Sequence, residues 1–288
     1  MSVLVIAGPT GVGKSSLAFD VARQHDAVLL CADAMTVYRG LDVGTAKPTQ
    51  EEQEAVLHYG LDVCDIDQEF SVADFVSLFD KVCAKHERVV VVGGTHFYLN
   101  ALVDPMPEMP KAQPEIRARL EEEDGLHQKL MVVDPEIGHR LHPNDKRRII
   151  RALEVYEVSG IPLSVHQKKK PKREKLVAPC LWLDRDDLRD RIMLRLQLMV
   201  EQGYWEECTR IMQEGWNIQS KPLLSFSYRY MLSCLQENGD REEAIEKTGF
   251  GTWKLVRKQR TWGNGLNWEV RHPSQAWDWI ADNNPFDA

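Results

Sequence analysis

GPTGVGKSS, Gly8–Ser16, is the stretch whose reading decides the fold. Gly8, Gly13, Lys14 and Ser15 satisfy GxxxxGK[ST], with an apolar run before them (VLVIAG, residues 3–8) and a helical stretch after them. A strand, a glycine-rich turn and a helix in that order form a phosphate cradle. The expected cradle is Gly8, Pro9, Thr10, Gly11, Val12, Gly13, Lys14 and Ser15. Its glycines let backbone amides turn inward, and the helix start adds the positive end of its dipole. Lys14 supplies a charge and Ser15 a hydroxyl for Mg²⁺. The turn does not choose among ATP, GTP and any other diphosphate.

Working outward, AVLLCAD (27–33) and RVVVVGGT (88–95) are further short apolar runs separated by helical stretches. Continuous β-branched runs closed by Gly or Asp are what strands buried on both faces look like, so the class is α/β with a parallel sheet and crossover helices. VDPMPEMPKAQP (103–114) breaks this rhythm with four prolines, and the chain then reads as helical until PCLWLD (179–184), a run fit to rejoin the sheet. The expected organisation is a core of residues 1–107 and 179–288 with a helical insertion over 108–178. In DDLRDRIMLRLQLMVEQG (186–203), Leu188, Ile192, Leu196 and Met199 share a helix face, with Arg191 and Arg195 one turn apart beside it.

The 288 residues carry a formal net charge of −8, which argues against indiscriminate binding of polyanions, yet the charge is uneven. Residues 51–70 hold seven acids and no Lys or Arg, whereas residues 139–175 hold eleven Lys or Arg against four acids. A second basic cluster, Lys254, Arg257, Lys258 and Arg260, lies towards the C-terminus. Six cysteines, the closest two nineteen residues apart, fit neither a disulfide framework nor a CxxC zinc site and read as reduced thiols. No run of eighteen apolar residues occurs, and the apolar start lacks the basic flank and cleavage site of a secretion signal, so the expected location is the cytoplasm, with no membrane partner.

CADAMTVYRGLDVGTAKP (31–48) follows the second apolar run, at the strand end where open α/β sheets place functional groups. Asp33 there suits a Mg²⁺ ligand or a general base; a turn or helix cap is the structural alternative. Gly93, Gly94 and Thr95 close the third run at the same edge. Arg147 and Arg151 are spaced i,i+4 on a helix capped by Asn144, with Arg148 beside them, so three guanidiniums can follow a phosphate strand or simply face solvent. Tyr228 and Trp262 can stack on bases or fill a core, and KKKPKREK (168–175) reads as a basic loop.

GPTGVGKSS, DAMTVYRGLDVGTAKP and GGTHFYLNAL together resemble the tRNA dimethylallyltransferase (tRNA isopentenyltransferase) family. So do VDPEIGHRLHPNDKRRIIRALEVYEVSGIPLS (133–164), LRDRIMLRLQLMVEQGYWEE (188–207), SYRYML (227–232) and TWKLVRKQRTW (252–262), in the family's order. The resemblance implies a phosphate-loop core and an inserted helical lobe that grips a tRNA anticodon stem-loop. It implies transfer of dimethylallyl from dimethylallyl diphosphate to N6 of the adenosine 3′ of the anticodon, without ATP. In that reading Asp33 takes the proton, and Thr10, Lys14 and Ser15, the last through Mg²⁺, stabilise the departing diphosphate. RNA contacts carry over to Asp33, Ala34, Met35, Thr36, Thr95, Arg117, Arg147, Arg148, Arg151, Tyr228, Arg229, Arg257, Lys258, Gln259 and Trp262. A monomer is expected.

Several positions depart from the family's pattern. Thr36 stands for its Gln, Ala34 for a frequent Ser, Ser227 for the Gly of GYR, and Trp253 for an arginine associated with the diphosphate. Lys254, one position on, is the expected substitute for that charge. Two other functions fit parts of the chain: a small-molecule kinase, which leaves the basic insertion without a task, and an RNA-binding relative without turnover, which leaves Asp33, Thr10, Lys14 and Ser15 without one.

Overall fold

A computed structural model describes residues 1–286. Six strands form one parallel sheet: β1 (Ser2–Ala7), β2 (Val28–Ala32), β3 (His58–Tyr59), β4 (Arg88–Gly93), β5 (Cys180–Leu183) and β6 (Glu269–Arg271), in the order β3-β2-β4-β1-β5-β6. The four apolar runs of the sequence supply the four inner strands. The edges β3 and β6 are two and three residues long and largely polar, so no apolar run announces them. Val3 to Ala7 of β1 and Val89 to Gly93 of β4 are buried, as helices on both faces require. Leu17, Ala18, Val21 and Ala22 of the helix Lys14–Gln24 pack with Leu4, Ile6, Val90 and Val92. Each Leu or Ile so buried contributes about 2 kcal/mol. This packing fixes the phosphate loop between the end of β1 and its helix.

The chain divides into two compact units, residues 1–102 with the chain from 177 onward, and Val103–Leu176. The first holds the sheet and a second apolar cluster in which Val37, Tyr38 and Leu41 pack with Tyr204, Trp205, Cys208 and Tyr228. The second is helical: Pro114–Glu121, Leu126–Val133, Pro135–Arg140, Lys146–Ser159 and Leu163–Gln167 enclose Leu120, Leu130, Ile149, Ile150 and Leu153. Its Asp134-Pro135 pair starts a helix: Asp134 is buried, accepts from the Ile137 amide at 3.2 Å and takes the Ser164 amide at 2.8 Å. The cap of Lys146–Ser159 is Asp145, not the expected Asn144. The Asp145 carboxylate accepts from the Arg148 amide and also pairs with the Arg148 guanidinium, which a neutral amide does not do as well beside a positive helix start.

Candidate active site

A cavity of about 410 Å³ opens at the carboxyl edge of the sheet, lined by Thr10, Gly11, Gly13, Lys14 and Ser15 of the phosphate loop and by Asp33 and Thr36 beyond β2. Gly13 caps the following helix with φ +103°, a left-handed conformation that glycine takes without steric cost. Val12 is fully buried beneath the loop, and the Lys14 ammonium donates to the Pro9 carbonyl at 3.2 Å. Burial lowers the Lys14 pKa to about 8, with Asp33 opposing the shift and Arg195 adding to it.

Asp33 satisfies both readings of its position. Its Oδ1 accepts from the Met35 amide at 2.7 Å and the Thr36 amide at 3.4 Å, capping the turn after β2. Its Oδ2 accepts no hydrogen bond among the described residues, and the carboxylate lines the cavity with Lys14. The Thr95 hydroxyl accepts from the Ala34 amide at 3.0 Å, so Thr95 fixes the same turn. Met35 packs against the second apolar cluster, while the Thr36 hydroxyl is buried beside the cavity without a partner.

Three residues expected to contact RNA serve the fold. Gln259, buried, accepts from the Thr10 amide at 3.0 Å and donates to the Gly94 carbonyl at 3.0 Å, bracing the phosphate loop against the end of β4. Tyr228 is fully buried; its hydroxyl donates to Glu207 at 2.7 Å and its ring meets Tyr204 edge-on, so it stacks on no base. Trp262 is half-buried among Trp182, Trp268 and His96, with ring centroids 5.6 to 6.0 Å away. On the same helix, Arg241–Gly263, Arg257 and Lys258 are exposed, as is Arg229, whose guanidinium lies 4.5 Å from the Tyr230 ring.

Lys254 does not replace the missing arginine. It is exposed, its ammonium lies 4.6 Å from the Phe250 ring, and it is absent from the cavity lining. Trp253 itself packs against the main core, with the Arg260 guanidinium 5.9 Å from its ring. Arg260 is occupied in turn by Asp184, at 2.8 and 3.0 Å. Besides Lys14 and Lys47, the cations that line the cavity are Arg191 and Arg195, from the helix Leu188–Glu201. Arg191 donates to the Gly11 carbonyl at 3.1 Å. Burial lowers the Arg195 pKa, Asp33 raises it and Arg191 lowers it further. The sequence shows this pair one turn apart, but only the fold brings it to the phosphate loop.

In the helical unit, Arg117 and Arg151 both bind the fully buried Glu154. Arg117 does so at 2.9 and 3.1 Å and Arg151 at 2.6 Å, and Arg151 also holds the Pro110 carbonyl at 2.7 Å. Burial opposes the Glu154 charge; the Gln113 amide and the two guanidiniums outweigh it and hold its pKa below the usual range. Arg147 and Arg148 are exposed on the same helix.

The family model described as IPP transferase matches residues 36–265. The chain belongs to that family. It is 39% identical over 273 residues to tRNA dimethylallyltransferase 1 of Trichlorobacter lovleyi, covering 90% of each chain. It is 35% identical over 275 residues to tRNA dimethylallyltransferase of Acetivibrio thermocellus, covering 91% of this chain and 88% of that one. Among solved structures it is similar to the full-length tRNA isopentenylpyrophosphate transferase of Bacillus halodurans, at 30% identity, TM-score 0.67 and 98% and 96% coverage. A eukaryotic dimethylallyltransferase acting on tRNA, 24% identical, shares the fold with TM-score 0.81 over 99% of this chain and 80% of that one. The family match begins at Thr36, so the phosphate loop lies outside it.

Proposed function

We propose that this IPP transferase moves a dimethylallyl group from dimethylallyl diphosphate to N6 of the adenosine 3′ of the anticodon in tRNA. The observation that carries the reading is one cavity holding both halves of the chemistry: an anion cradle of loop amides with Lys14 and Arg195, and the carboxylate of Asp33. The N6 lone pair forms a bond to the allylic carbon as the carbon–oxygen bond to diphosphate breaks, its electron pair leaving on oxygen. Asp33 accepts the proton that N6 loses. Lys14, Arg195 and the loop amides stabilise the negative charge that grows on the leaving group. A stacked base cannot present its amine to a cavity, so the adenine is flipped out of the anticodon loop.

Among the described residues no group of three His, Cys, Asp or Glu side chains can hold a metal. Of the oxygen groups that line the cavity, the Ser15 hydroxyl and the Asp33 carboxylate fit Mg²⁺, an ion kept mostly by water and phosphate oxygens. Ser15 would hold it, and bound Mg²⁺ supplies further charge neutralisation of the diphosphate. Of the expected RNA contacts, exposed Arg147, Arg148, Arg257, Lys258 and Arg229 are the side chains left to meet RNA phosphates. Among the described residues no helix is long and apolar enough to cross a membrane.

Incubation with anticodon stem-loop RNA, dimethylallyl diphosphate and Mg²⁺, without ATP, is expected to add one dimethylallyl group to the RNA, read by mass. Asp33→Asn is expected to slow transfer by about 10²- to 10⁴-fold with stem-loop affinity retained. Alkylation by the variant at the parent's rate removes Asp33 from its role.

A further inference from the structure

A buried carboxylate lies behind one wall of the cavity. Glu207, on the helix Tyr204–Gln213, is 6% exposed and receives four hydrogen bonds. The Asp42 and Val43 amides donate to Oε2, both at 2.8 Å; the Gly44 amide at 2.9 Å and the Tyr228 hydroxyl at 2.7 Å donate to Oε1. Charge-assisted bonds to three consecutive amides fix a stretch of backbone that belongs to no helix or strand. Two further features show how tightly this loop is held. A Cβ on Gly44 would stand 2.6 Å from the rings of both Tyr204 and Tyr228. The Lys47 ammonium is buried and reaches back to Asp42 and Asp62, both at 2.6 Å. The loop runs on directly into Thr45, Ala46, Lys47 and Pro48, which line the same cavity as Lys14 and Asp33.

We infer that Glu207 is a positioning residue for prenyl transfer: with Tyr228 behind it, its carboxylate holds residues 42–44 so that residues 45–48 form the wall against which the prenyl diphosphate sits. The inference rests on the transfer reaction proposed above. Glu207 touches no reacting atom and acts through the loop. Replacement by Gln turns one oxygen into an NH₂ group that faces loop amides, donor against donor, whereas Tyr228→Phe removes one bond and leaves the three amides bound. Gly44→Ala pushes the loop off the two rings without touching the carboxylate.

The test combines E207Q, G44A and Y228F with three readouts: KM and kcat for dimethylallyl diphosphate, the calorimetric Kd of inorganic pyrophosphate with Mg²⁺, and amide exchange over residues 42–48. E207Q and G44A are expected to raise KM and the pyrophosphate Kd about tenfold or more and Y228F less, with kcat little changed. Exchange should speed up across 42–48 while β1 and β4 keep their protection. Unchanged KM and Kd in G44A, a variant that spares Glu207, despite a loosened loop, overturns the inference. So does a loss confined to kcat, or protection lost equally in β1 and β4. Pyrophosphate binding involves no RNA, so failure of the parent protein to alkylate RNA strikes the transfer reading alone.

Discussion

Arg195 and Arg151 each follow another arginine by one helical turn, and they do opposite work. In the helical unit Arg151 is committed: Glu154, fully buried, needs it and Arg117 as counter-ions, and the Pro110 carbonyl takes what is left of its fork. In the sheet unit Arg195 lines a cavity beside Lys14 and Asp33, and burial lowers its pKa, the mark of a charge held where an anion would relieve it. Spacing tells which side chains share a helix face. Whether a charge is already neutralised depends on which carboxylate the fold buries against it, and that separates a side chain free to bind from a brace.

The contrast is sharpened or broken by substitution. Arg195→Ala should give the largest change, lowering kcat/KM for dimethylallyl diphosphate about 10²-fold with little loss of thermal stability. An unchanged kcat/KM would mean that the cavity's charge comes from Lys14, the other lining cations and the loop amides without Arg195. Arg151→Ala should destabilise the protein by about 2 kcal/mol, measured by denaturant unfolding, because it strips a charged hydrogen bond from a buried carboxylate. Its exposed neighbour works the other way: Arg147→Ala should leave unfolding unchanged and weaken stem-loop binding severalfold, with a salt slope shallower by about one.

A pH profile tests the sheet unit's side of the contrast. Lys14 is protonated below its pKa of about 8 and attracts diphosphate; above it the ammonium is lost. So kcat/KM should fall as pH rises through about 8, approaching about tenfold per unit, while kcat stays flat because bound diphosphate retains the proton. A kcat/KM that holds level to higher pH contradicts that shift. The smallest effect is expected for Lys254→Ala: no change in KM, since the ammonium sits on Phe250 outside the cavity.

Much of this arrangement was legible in the chain. The four apolar runs became the four inner strands, and the phosphate loop lies between strand and helix as its glycines and lysine indicate. Asp33 was legible as a residue of interest, though not that one oxygen would cap a turn while its carboxylate still faced the cavity. The bracing bonds of Gln259 and Tyr228 were not legible, because nothing near them in sequence reveals Thr10 and Gly94 across the sheet or Glu207 across the second cluster. Glu207 carried no signal of its own, being one of two adjacent acids at the start of an amphipathic helix.

By itself the sequence determined the class of fold and the likeness to one enzyme family, and it set out an expected phosphate loop and helical insertion, since these depend on local periodicity, glycine conformations and residue types at fixed spacing. Tertiary structure alone decided the job of each charge. Arg195 lines one cavity with Asp33 and Lys14, Arg117 meets Glu154, and Glu207 meets the amides of residues 42–44 only when segments distant in the chain close on one another. The physical reason is that the state of an ionisable group depends on burial and on the nearest opposite charge, and neither is set by its neighbours along the chain.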